Sequence, residues 1–527
     1  MITGKNYIGN HLSSQGDKTY TTFNPKVNIE NEPLYYEASE TEINHAIDLA
    51  SEAFAAYKKV SGKDKAQFLN TIAEEILALG DLLIQTYISE SGLPEKRAIG
   101  ERTRTIGQLR AFANLVADGT WVEATIDTAD PNRIPIPKPD LRKMLTPLGP
   151  VVVFGASNFP LAYSTAGGDT ASALASGCPV IVKSHPMHAG TGELIASAII
   201  AAAEKTKMPN GVFSNLNSSG IEVGVQLVKH PKIKGVGFTG SIKGGRALFD
   251  LAAQRPEPIP VFAEMGSINP VVILPETLQK RGASLATTYA KSITLGTGQF
   301  CTNPGLILGV KSEALDHFID KLSTEILTIT PSCMLHPNIV NNYKNNSANM
   351  LQESGISKTA DYQGDLEPNF AGQMITTVDG DSFLNNTNLH QEVFGPFSLV
   401  VQCKDLEELT TIIDHLEGQL TGTILAEQEE IADHRTIIEA LQNRVGRLIF
   451  NGVPTGVEVC PSMLHGGPYP ASTDSRFTAV GIHAIKRWVR PMSYQNWPDH
   501  LLPDELQNQN PLGISRLVNG DSTRNPL

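Results

Sequence analysis

The chain has 527 residues, enough for two or three domains with a large core and no need of covalent staples. Its 41% hydrophobic, 18% charged and 6% aromatic residues, with 45 glycines, suit an ordinary α/β enzyme and exclude a disordered or fibrous chain. A formal charge of −13 argues against nucleic acid or an anionic membrane as partner. The five cysteines, Cys178, Cys301, Cys333, Cys403 and Cys460, show neither CxxC pairs nor metal-ligand spacing with histidine. A reduced compartment and no metal site are therefore expected. Residues 1–20 are polar without an apolar h-region, and no run of about 18 apolar residues occurs, so the expected location is the cytoplasm.

Residues 1–36 read as a surface arm or short edge strands. From Glu40 to about Val116 the spacing of Ile43, Ala46, Ile47, Ala50 and Phe54 predicts helix, opened by a capped Ser39-Glu40-Thr41-Glu42 start. Within it, residues 101–110 crowd Arg102, Arg104 and Arg110 onto one helix, as solvated charge or as guanidinium groups aimed at an anionic ligand. Residues 124–148, rich in Pro, Asp and Lys, predict an extended segment that leaves the main body and pairs with a partner subunit.

The pattern then alternates. Strands are expected at 151–154, 177–183, 212–213 and 236–238, with helices at 162–176 and around 195–204, which together make a doubly wound parallel sheet. A second series has strands at 306–308, 397–401, 422–425 and 447–450, with helices near 313–326, 406–415 and 429–441. The polar residues 341–373 are expected to be an excursion from this second domain and not part of its core. Between the two series, Gly296-Thr297-Gly298-Gln299-Phe300-Cys301 sets a thiol among small residues, after a helix at 287–295 and before a strand at 305–310. Backbone N–H groups there can favour thiolate and a developing oxyanion, which makes Cys301 a candidate nucleophile; the alternative is a buried structural cysteine.

Asn158 in a strand-to-helix turn, Lys183 at a strand end, Phe238-Thr239-Gly240-Ser241, Glu264-Met265-Gly266, Gly298-Gln299-Phe300-Cys301 and Glu392-Val393-Phe394-Gly395-Pro396-Phe397 occur in this order. Together they resemble the NAD(P)-dependent aldehyde dehydrogenase superfamily over nearly the whole chain. The runs 153–161, 166–175 and 466–477 are similar to the branch containing 2,5-dioxovalerate (α-ketoglutaric semialdehyde) dehydrogenases and a related long-chain fatty aldehyde dehydrogenase.

The resemblance implies two doubly wound α/β domains plus an oligomerisation arm. Its boundaries are an N-terminal arm and helical part at 1–123, an oligomerisation segment at 124–148 and a dinucleotide-binding core at 149–265. A catalytic domain at 266–480 and a tail at 481–527 complete it. Cys301 is then the nucleophile, Asn158 an oxyanion donor and Glu264 the base for thioester hydrolysis. Lys183, Gly240, Ser241, Gly245, Glu392 and Phe394 are implied for the cofactor, the glycines in a G-x-x-x-x-G spacing where a helix N-terminus receives the pyrophosphate. Phe159, Phe477, Arg104, Arg110 and Arg476 are implied for the substrate, an arginine pairing with a distal carboxylate.

The sequence departs from the family pattern in three places. Lys183-Ser184-His185-Pro186 lacks the usual acid that would repel a 2′-phosphate, and Lys243 adds a positive charge, so NADP is favoured over NAD. Ser267 stands where a second glycine is usual. The expected activity is oxidation of an aldehyde, 2,5-dioxovalerate foremost, in a homodimer or homotetramer. The competing readings are a medium- or long-chain aldehyde as substrate, a non-catalytic member of the fold, and a cofactor-free cysteine hydrolase, for which no histidine motif is evident.

Overall fold

The computed structural model describes residues 2–527. Ser39 opens the first helix, Glu40–Tyr57, with a reciprocal capping box to Glu42, as the sequence predicts. The predicted helical stretch resolves into four helices, Glu40–Tyr57, Gly62–Ala78, Gly80–Ser91 and Glu95–Asp118; the first buries Ile43, Ala46, Ile47 and Ala50 against Val152, Ile181 and Leu216 on one face of the first sheet, and the other three pack with Val151, Val153, Val180 and Val182 on the opposite face.

That sheet has seven strands. Its parallel part runs Val261–Glu264, Gly235–Thr239, Val151–Phe154, Val180–Lys183, Phe213–Leu216, and Asn6–Ile8 adds antiparallel at the edge. The N-terminal residues are thus edge strands of the core sheet. Register sets Thr239 opposite Glu264 and Phe154 opposite Lys183, so the loops carrying the candidate residues leave from one carboxyl edge.

The expected helix at 162–176 begins only at Gly168. The buried carboxylate of Glu101 accepts the N–H groups of Leu161 (2.8 Å) and Ala162 (2.9 Å), which holds the preceding residues as turns.

The second sheet also has seven strands, in the order Ser357–Asp361, Met374–Asp379, Phe397–Cys403, Leu306–Val310, Val271–Ile273, Gln419–Leu425 and Val445–Phe450. All pair in parallel except the first, which is antiparallel. The region read as an excursion belongs to this body: helix Pro337–Gln352 buries Val340, Tyr343 and Met350 in the second core, and Ser357–Asp361 is a sheet strand. Its buried positions are few and widely spaced among Asn and Lys, which hides them in composition.

A five-stranded sheet forms the arm. The expectation for residues 124–148 and the tail was pairing across a subunit interface. Within the chain, Leu141–Pro147 pairs antiparallel with Val489–Gln495, from Val489 opposite Pro147 to Gln495 opposite Leu141, which leaves Val489–Gln495 as an edge strand of this sheet. The tail is anchored just before it by buried Trp488, whose indole N–H donates to Ser172 Oγ (2.7 Å). Arg487 also pairs with Asp169 at 2.7 Å. Among the described residues no helix is long and apolar enough to cross a membrane.

Candidate active site

Helix Pro275–Thr294 ends in three successive left-handed residues, Gly296, Thr297 and Gly298, which swing the chain toward the first domain. A threonine there costs about 1–3 kcal/mol, offset by bonds from its hydroxyl to Ser332 Oγ (2.6 Å) and the Cys333 carbonyl (3.2 Å). Gly298 is required by close approach, since a Cβ would lie 2.1 Å from the Gly395 carbonyl oxygen. The Asn269 amide then holds the turn by donating to the carbonyls of Cys301 and Asn303, both at 2.9 Å.

Cys301 emerges half-buried from this turn. Its backbone N–H donates to no acceptor among the described residues. Asn158 reaches across from the first domain, its Nδ2 donating to the Gln299 carbonyl at 3.1 Å and keeping a second N–H beside the thiol loop.

Glu264 ends its strand 1% exposed, and Nε2 of the buried His465 ring is within reach of both its carboxylate and the thiol. His465 Nε2 lies 3.5 Å from Cys301 Sγ in hydrogen-bond alignment. It also lies 2.9 Å from Glu264 Oε1, but without that alignment, and both Glu264 oxygens remain free to accept. Burial pushes the Glu264 carboxyl up, but the charges of His465 and Arg487 and the contacts from His465 and Cys301 together outweigh it, and the net shift is below the ordinary range. Burial, and then Glu264, hold the Cys301 thiol well above its ordinary value.

The three donor atoms lie within 4.8 Å of one another. Sequence spacing concealed this group, and the histidine that a cysteine hydrolase was said to lack is present. Its one signal is position, immediately before the Gly466-Gly467 turn.

The implied substrate residues divide. Phe159 packs edge-on to Phe300 (5.6 Å) and Tyr163 (5.1 Å) at the thiol, and Arg104 donates to the Tyr163 hydroxyl at 3.0 Å with its Nε unpaired. Arg97, which sequence reading passed over, lies 4.3 Å above Phe159 and 4.6 Å above Phe300. Arg110 instead pairs with Glu74 on the surface at 2.5 Å. Arg476 is a 79% exposed partner of Asp474, and Phe477 packs on Phe262. These three are not among the groups gathered at Cys301.

The implied cofactor residues line the carboxyl edge of the first sheet. Ser241 caps helix Ile242–Ala253 through the Gly244 N–H (3.1 Å). Gly245 lets that helix settle on Met265, whose sulfur would be 2.5 Å from a Cβ. Lys183 and Glu392 are half-buried ionisable groups without an ion-pair partner among the described residues. Burial pulls Lys183 down to about 8 and pushes Glu392 up to about 7. Glu392 and Phe394 share a cavity with Ser267, Gly298 and Asn303. A lysine, a helix N-terminus and an unpaired carboxylate along one edge fit the ribose and phosphate groups of a dinucleotide.

A thiol facing such an edge across two α/β domains points to one family. The model of the aldehyde dehydrogenase family matches residues 11–487, and the chain belongs to that family. Among its relatives, α-ketoglutaric semialdehyde dehydrogenase 2 of Azospirillum brasilense is 47% identical over 522 residues, covering 99% of both chains. α-Ketoglutaric semialdehyde dehydrogenase of Acinetobacter baylyi is 43% identical over 523 residues, again 99% of both. Aldehyde dehydrogenase C of Pseudomonas syringae, solved as a mutant with NAD+ and octanal, shares the fold: TM-score 0.80 at 20% identity, over 94% of this chain and 97% of that one.

Proposed function

We propose that the chain oxidises an aldehyde carrying a distal carboxylate, 2,5-dioxovalerate, to the dicarboxylic acid 2-oxoglutarate, with a nicotinamide coenzyme as hydride acceptor. The names of the two relatives that match over nearly full length support this reading. The observation that carries it is Arg104, a half-buried guanidinium beside Phe159 and Tyr163 whose charge is felt at Cys301. A cation kept next to a reacting thiol without a carboxylate partner suits an anionic substrate. Arg97 extends the same wall.

Cys301 adds to the aldehyde carbon, and the second N–H of Asn158 with the Cys301 N–H stabilises the oxygen that gains charge. When bound, the coenzyme supplies the hydride acceptor. Lys183, Ser241 and Glu392 orient it, and Glu264, with both oxygens free, takes a proton from the water that hydrolyses the thioester. Replacing Glu264 with Gln and mixing with coenzyme and 2,5-dioxovalerate is expected to leave the acyl group on Cys301, read by intact-protein mass. An unmodified Cys301 after a full turnover of reduced coenzyme contradicts the assignment.

The absence of an acid at Pro186 and the exposed Lys243 support NADP over NAD. The five unpaired thiols support a reducing compartment, the cytoplasm. Exposed Phe450 on the free edge strand of the second sheet, with Met492 and Leu517 on the arm, supports a homodimer or homotetramer. Sedimentation of a stable, active monomer at micromolar concentration contradicts that assembly.

A further inference from the structure

We propose that His465 is the catalytic residue that takes the proton of Cys301 and stabilises the thiolate, leaving Glu264 for the later activation of water. The inference rests on Cys301 being the nucleophile of the reaction above. It starts from alignment: of the two groups within reach of His465 Nε2, the one in hydrogen-bond geometry is Cys301 Sγ at 3.5 Å, not Glu264 at 2.9 Å. The ring is fixed for this purpose. It is 1% exposed, its backbone N–H donates to Thr478 Oγ1 (2.9 Å), and its face lies against Tyr163 at 5.9 Å.

Charge balance separates the roles further. Glu264, Glu392, Arg104, Arg447, Tyr163 and His465 are the titratable and charged groups that face the thiol. Transfer of the thiol proton to bulk solvent would leave a buried thiolate beside the Glu264 carboxylate. Transfer to His465 sets an imidazolium beside both anions and leaves the cluster one unit less negative.

The step balances. The proton leaves Sγ for Nε2, the sulfur pair forms the bond to the aldehyde carbon, and the carbonyl π pair moves to oxygen. With the coenzyme bound, its nicotinamide would accept the hydride with its electron pair, and the oxygen pair would re-form the carbonyl of the thioester. In the second half Glu264 takes a proton from water as the hydroxyl adds. When the carbon–sulfur bond breaks, its pair returns to Sγ and the imidazolium proton can follow.

The test uses the full chain without coenzyme or aldehyde, so it reads the thiolate whatever the substrate is. The pH dependence of Cys301 alkylation by iodoacetamide is followed by peptide mass in wild type, His465→Asn, His465→Gln and Glu264→Gln. The wild type is expected to alkylate with an inflection below that of either His465 variant. Both His465 variants should move it up by about one unit and slow alkylation at pH 7 about tenfold, while Glu264→Gln does not raise it. An unshifted profile in a His465 variant that keeps the wild-type circular dichroism, or an upward shift confined to Glu264→Gln, overturns the proposal. With coenzyme and aldehyde added, the first turnover should slow in the His465 variants and stay fast in Glu264→Gln. If alkylation follows the prediction but no reduced coenzyme forms, the histidine assignment stands and the dehydrogenase reading fails.

Discussion

The hydroxyl of Ser267 donates to the side-chain oxygen of Gln419 over 2.8 Å, joining the loop after Glu264 to the second sheet. The Leu420 N–H donates back to Ser267 Oγ at 3.0 Å, and the Ile268 N–H donates to the same Gln419 oxygen at 2.8 Å. Where the family pattern has glycine, this chain has a buried brace between the strand carrying Glu264 and the strand Gln419–Leu425. Ser267→Ala leaves the Leu420 N–H unpaired, which costs about 1–3 kcal/mol. The expected outcome is a lower denaturant midpoint with an unchanged slope and nearly normal turnover. An unchanged midpoint would show that the brace is not used.

Coenzyme affinity is expected to rise with pH through about 7. Burial raises the Glu392 carboxyl to about 7, so its acid form persists below that pH and its acceptor form above it. Only the carboxylate can accept from two ribose hydroxyls. Titration of reduced-coenzyme fluorescence should show tighter binding on the alkaline side, and Glu392→Gln should flatten the profile while weakening the alkaline limb about tenfold. A Gln variant that keeps the rise assigns it to another group.

Pro186 opens a short turn, Pro186–His188, next to Lys183, and the His185 and His188 rings stack across it at 5.1 Å. Restoring an acid with Pro186→Glu should weaken NADP more than NAD, because a carboxylate repels a 2′-phosphate but accepts from a free 2′-hydroxyl. Dissociation constants for both coenzymes decide it. Equal losses would mean that residue 186 does not meet the adenosine ribose.

Legibility followed locality. The strand at 151–154, the helix opened by Ser39 and the turn at Cys301 declare themselves through apolar runs, a capping box and glycines close in sequence. Asn158 and Glu264 were legible as members of ordered motifs, and the model sets both beside the thiol turn. His465 was not, because 164 residues separate it from Cys301 and nothing in its own neighbourhood marks a proton acceptor. Arg104 and Arg110 share one helix, but only the fold turns the first to Tyr163 and the second to Glu74. The late start of the helix at Gly168 has the same origin, since Glu101, which holds the turn before it, lies some 60 residues away.

The central claim is that Cys301 oxidises an aldehyde whose far end is a carboxylate held by Arg104. Its most direct measurement is kcat/KM for 2,5-dioxovalerate against pentanal, which has the same carbon count without the acid, followed by reduced-coenzyme absorbance in wild type and Arg104→Met. The wild type is expected to prefer 2,5-dioxovalerate about 100-fold, the size of a well-formed arginine–carboxylate contact, and the Met variant to lose most of that preference through 2,5-dioxovalerate alone. Equal or better use of pentanal by the wild type, or a preference untouched in Arg104→Met, would contradict it.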